Sequence, residues 1–75
     1  MIFLGIEVVN ISSGMGGVLP AAVAARHDND TAQVICLHEV YFPSWLLTVK
    51  QADITPYTTK LTEFAKRIIK ERKRA

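Results

Sequence analysis

The residues best equipped for chemistry in this 75-residue chain are one cysteine, two histidines and a few carboxylates near turns. Cys36 and His38 lie two apart, so on a β-strand they share a face, as a nucleophile and its base or two metal ligands would. A third member is hard to find. His27 stands beside a turn at 28–30, which puts it roughly 17–20 Å from Cys36 along a hairpin at ordinary strand rise. The pair therefore reads as a small buried thiol and a histidine near a strand end. Asp28 and Asp30 read as turn formers rather than as an acid–base pair. Gly14-Met15-Gly16-Gly17 has the glycine density of a phosphate-cradling loop. Val18-Leu19 stand where that motif requires Lys followed by Ser or Thr, so the stretch reads as a turn. One cysteine excludes an internal disulfide, and a zinc cage built on it would have to recruit carboxylates. No catalytic residue, no metal and no small-molecule cofactor is expected.

Two stretches are better suited to binding. Tyr41, Phe42 and Trp45 flank Pro43 and form an aromatic cluster, in which flat rings supply contact area at little entropic cost. Tyr41 and Phe42 are the better contact candidates, because Trp45 reads first as the main core residue. The second stretch is basic. Residues 57–75 carry seven of the nine Lys and Arg residues against Glu63 and Glu71, whereas residues 1–56 carry Arg26 and Lys50 against five carboxylates. Lys66, Arg67, Lys70, Lys73 and Arg74 would neutralise phosphates if they shared an exposed helix face. The bland reading is a solvated surface whose charges favour the helix C-terminus.

These residues need elements to hold them. The stretch 2–11 has the β-branched and aromatic density of one strand, ended by the glycine loop. Residues 18–27, rich in alanine, fit either a short helix or a strand of small side chains. The stretch 28–30 is a tight turn and 32–41 a strand apolar on both faces, which calls for a cover on each side. From Trp45 to Lys50 apolar residues alternate, with Trp45, Leu47 and Val49 on one face. Gln51-Ala52-Asp53 reads as a helical turn and Ile54-Thr55 as a brief strand. The spacing of Tyr57, Leu61, Phe64, Ala65, Ile68 and Ile69 predicts an amphipathic helix, capped by Thr55 ahead of Pro56 or by Thr58 or Thr59.

The stretch Trp45-Leu46-Leu47-Thr48-Val49-Lys50-Gln51-Ala52-Asp53-Ile54-Thr55-Pro56 resembles the end of small SH3-like barrels, where a strand, a helical turn and a last strand close the barrel. Residues from Val8 to Val18 loosely resemble the KOW-type loop, without its usual basic residue. The resemblance covers residues 2–56 and implies a five-stranded barrel with residues 57–75 as a helix packed on the same domain. The alternative fold is α/β with a βαβ start, with residues 18–27 helical. That arrangement faintly resembles the opening of a nucleotide-sugar glycosyltransferase, but the helix would be short and the second half of the enzyme would be lacking. SH3-like barrels bind peptides, proteins and nucleic acids alike, so the resemblance leaves function open.

The expectation is a non-enzymatic protein-interaction module, with self-association among its modes. Nucleic acid is the alternative partner, bound through the basic helix. Hydrophobic residues make up 49% of the chain, a surplus consistent with a self-association surface. The apolar start, Met1 to Ile6, has no preceding basic residue and is interrupted by Glu7, unlike a signal peptide. No run reaches the roughly 18 apolar residues needed to span a bilayer, so no membrane association and a cytoplasmic location are expected.

Overall fold

The computed structural model describes residues 1–12, 14 and 16–74, with the side chain of Arg74 excepted. Six antiparallel strands and a C-terminal helix make up the chain: β1 (Ile2–Phe3), β2 (Ile6–Ser12), β3 (Val18–Arg26), β4 (Thr31–Cys36), β5 (Leu46–Lys50), β6 (Ile54–Pro56) and α1 (Glu63–Arg74). The strands pair in the order β1-β2-β3-β4-β5, and β6 pairs with β2. The hydrogen-bonded ladder is therefore open between β5 and β6.

Each face of the central strands is buried, as the double apolar pattern of β4 demanded. On one face Val8, Ala22, Ile35 and Leu37 pack against Tyr57, Leu61, Ala65, Ile68 and Ile69. On the other, Val9, Ile11, Leu19, Ala21, Val34 and Cys36 form a second cluster, joined by Leu47 and Val49 of β5 and Ile54 of β6. The sheet thus curls until both of its edge strands reach one concave core. Gln51–Asp53, a single 3-10 turn, carries the chain between those edges. At the rim, the Arg26 guanidinium donates to both carboxylate oxygens of Glu7, at 3.1 and 3.0 Å, and to Gln51 Oε1 at 2.9 Å. The Gln51 amide in turn donates to the carbonyls of His27 and Thr31, tying the turn to the β3–β4 hairpin.

Several sequence expectations need correction. Residues 18–27 are not a helix: β3 runs over Val18–Arg26, paired on both sides, which removes the βαβ alternative. The alanines serve close packing on both faces, and that overrides their helix propensity. The first strand is broken at Leu4-Gly5, where both residues take positive φ (53° and 81°), the requirement of a tight hairpin turn. The strand expected over 32–41 ends at Cys36. The helix starts at Glu63, later than any of the three expected caps, and Thr62 is the residue whose hydroxyl accepts the Ala65 N–H at 3.1 Å. Tyr57 and Leu61 still reach the core, but from the lead-in, where the Tyr57 hydroxyl donates to the Lys60 carbonyl. Thr58 and Thr59, β-branched and exposed, add little helix propensity there. No described helix is long and apolar enough to cross a membrane.

The helix face is structural on this account. Ile69→Ala should cost about 2–5 kcal/mol in urea denaturation, through lost burial and the cavity left behind. Lys70→Ala, on the outer face, should change stability by no more than about 0.5 kcal/mol.

Candidate protein-binding surface

Between β4 and β5 the chain makes a nine-residue excursion, 37–45, that carries the aromatic cluster. Leu37 stays in the core and its amide still reaches the Pro20 carbonyl of β3, at 2.8 Å. The ladder stops beyond it because the His38 side chain captures the next donors. Its Nδ1 accepts the N–H groups of Val40 and Tyr41, at 3.0 and 3.1 Å. The His38 and Tyr41 rings lie 5.0 Å apart between centroids. Further along, the Ser44 N–H donates to the Cys36 carbonyl, Trp45 N–H to the Phe42 carbonyl, and Cys36 N–H to the Trp45 carbonyl. The loop is thereby closed at its base and pinned in its middle.

What the loop presents outward is apolar. Val40 is 69% exposed, Tyr41 47%, Phe42 39%, Trp45 58% and Leu46 54%. The Phe42 and Trp45 rings meet at 5.2 Å, tilted by 58°. The structure places all three expected aromatics exposed on one loop, Phe42 against Trp45 and Tyr41 against His38, and it corrects the reading of Trp45 as the main core residue. Leu47 and Val49 continue inward from its face of β5, but the chain bends at Ser44, and Trp45 is left over the rim. Val40 and Leu46, flanking the aromatics in sequence, are exposed too and were missed. Their only sequence signal is an apolar run longer than one strand, with Pro43 inside it. Phe42 and Ser44 have φ of 51° and 65°. That left-handed region is costly for a bulky side chain, and more so ahead of a proline.

Cys36 and His38 do not form a catalytic pair. Cys36 is fully buried, its Sγ–H donates to the Tyr41 carbonyl at 3.1 Å, and burial holds its thiol above the ordinary range despite a weaker lowering contribution from a backbone hydrogen bond at His38. His38 has left the strand and its Nδ1 is occupied. Among the described residues no three His, Cys, Asp or Glu side chains group to hold a metal ion. The glycine loop joins two antiparallel strands and precedes no helix, so it offers no helix N-terminus to a phosphate. Its Met15 lies outside the described residues.

The basic residues of α1 are arranged unevenly. Arg67, Lys70, Arg72 and Lys73 are exposed, and Lys66 is half-buried. Lys66 contacts Glu63 at 3.5 Å, and the Arg67 guanidinium lies 5.6 Å from the Phe64 ring centre. The groove beside them is also lined by Glu39, Glu63 and Glu71, so cations and carboxylates share it. Arg74 belongs to the helix, but its side chain lies outside what is described. Comparison with protein-family models, with curated proteins and with solved structures finds no match.

The Cys36 environment makes a pH prediction. Because the folded thiol titrates above the unfolded one, the unfolded chain loses its proton first. Stability from this group is then complete at neutral pH and declines as pH rises past about 8.5, the ordinary thiol value. Denaturation midpoints should fall faster with pH in the wild type than in Cys36→Ala. Ellman's reagent should react with the native thiol slowly and with the urea-unfolded chain at once.

Proposed function

We propose that the chain is a non-enzymatic protein-interaction module of SH3-like barrel type, and that the exposed part of the 37–45 loop, with Leu46 at the head of β5, is its contact surface. The barrel reading is supported by the strand order, by the 3-10 turn linking β5 to β6, and by the single concave core that both edge strands share. The function rests on one observation: a group of large apolar side chains is exposed on a loop whose backbone is nevertheless fixed by hydrogen bonds. Aromatic side chains can bury some 150–250 Å² each, and at exposures of 39–58% the three rings offer roughly 200–350 Å² of area, to which Val40 and Leu46 add, within the range of patches that are often functional. A preset loop also spends little ordering entropy on binding. The positive φ at Phe42 agrees with this, since such strain collects at ligand-contacting sites.

A photoactivatable residue placed at Tyr41 or Phe42 should crosslink a discrete protein in cells expressing the chain. The same residue at Asp28, on the β3–β4 turn, should not. Equal crosslinking from all three positions, or none, would contradict the proposal. Trp45, the chain's one tryptophan, should shift its emission to the blue when the captured protein is added.

A second reading, nucleic-acid binding by α1, is favoured by one observation. Lys70, Arg72 and Lys73 are exposed and have no acidic partner among the described residues. Fluorescence anisotropy with RNA and DNA at two salt concentrations separates the readings. Salt-sensitive binding abolished by Lys70→Glu and Lys73→Glu would favour the helix, whereas no binding at low salt removes it.

A further inference from the structure

The backbone of β5 has a free edge, and its geometry names a partner. The bonds from Cys36 N–H to the Trp45 carbonyl and from Gln51 N–H to the Asp30 carbonyl bracket the β4–β5 ladder. With Val34 opposite Leu47 and Ala32 opposite Val49, alternation then assigns the backbone groups of Leu47 and Val49 to β4. Those of Leu46 and Thr48 and the N–H of Lys50 point the other way with no backbone partner among the described residues, while the Lys50 carbonyl holds the first bond of the 3-10 turn. The other sheet borders are poorer templates. β1 has two residues, and β6 has three, one of them Pro56, which lacks an N–H.

We infer that β5 pairs antiparallel with β5 of a second copy of this chain, about a two-fold axis at Thr48. The inference rests on the binding-module reading in taking the β5 flank as a contact surface, and it identifies the partner. Register is what selects it. With Thr48 on the axis, Thr48 faces its own counterpart and exchanges two bonds with it. Leu46 faces the partner's Lys50, whose N–H donates to the Leu46 carbonyl and whose carbonyl, already holding its turn, can accept the Leu46 N–H on its second lone pair. A shift of one or two residues leaves at least one of these residues outside the ladder, and a shift onto Lys50 sets two like charges opposite each other. In the favoured register the branched threonines pair, and the lysine methylenes cover an exposed leucine.

The exposed apolar area also fits. A standard interface buries about 800 Å² on each side. At a non-polar share near 56–65%, that requires roughly 450–520 Å². The three rings supply roughly 200–350 Å² of it, and the exposed Val40 and Leu46 add to that. Lys50, the one charge on the edge, guards against indefinite edge pairing without blocking this register.

Sedimentation equilibrium of the full chain should give a dimer. Thr48→Lys, which places like charges on the axis at an exposed position, should raise the dissociation constant at least tenfold with the fold intact by circular dichroism. Under mild oxidation Thr48→Cys should form a disulfide-linked dimer, because hydrogen-bonded antiparallel pairs hold their Cα atoms about 5.5 Å apart, within disulfide reach. Thr58→Cys, exposed away from the edge, should not. A chain monomeric at millimolar concentration, or equal crosslinking by the two cysteine variants, would overturn the inference. A dimer that survives Thr48→Lys but is lost in Trp45→Ser would overturn it too, while leaving the loop as a contact surface.

Discussion

The structure depends on a sheet whose central strands are covered on both faces. β2, β3 and β4 each alternate between two apolar sets, with Val8 and Val9, Ala21 and Ala22, and Val34 and Ile35 serving opposite sides. A flat sheet of this size has only one helix to cover it. The second face can leave water only if the sheet curls onto itself, bringing Leu47, Val49 and Ile54 over the concave core. Small side chains at the crossing, fully or almost fully buried at Ala21, Ala22 and Ala32, allow both covers to approach closely. The helix is thus integral to the domain, and its basic residues are the side of it left to solvent.

From that constraint follows the division of the surface. Curling puts β5 and β6 near each other without hydrogen bonding them, so β5 keeps a free edge. The same curl swings the 37–45 excursion over the rim, where its aromatics have no sheet beneath them. The hydrogen bonds of His38, Cys36 and Ser44 hold the loop there, in place of the burial that would ordinarily order such residues. A chain that needed only solubility would carry polar side chains at these positions. The proposed binding role would account for the apolar side chains there.

Much of this could be read from the sequence, and the failures have physical causes. The helix, the 3-10 turn at 51–53 and the brief β6 announced themselves through local pattern, because each is determined by neighbours in sequence. β3 stayed ambiguous, since an alanine-rich stretch takes whichever form its tertiary neighbours require. The end of β4 was hidden by an imidazole that competes for backbone donors, and no periodicity reports that. The cluster Tyr41, Phe42 and Trp45 was visible as composition, but the outward placement of Trp45 depended on a bend at Ser44. The Arg26–Glu7–Gln51 network joins positions 19 and 25 residues apart, and only the fold brings them together.

The central claim is that the apolar loop is exposed and yet ordered. Amide hydrogen exchange read by NMR tests it directly. The account predicts that the Val40, Tyr41, Ser44 and Trp45 amides exchange slowly, in step with β4, although their side chains face water. Exchange of these four at the open-chain rate, with β4 still protected, would mean that the loop is not preset and would contradict the account.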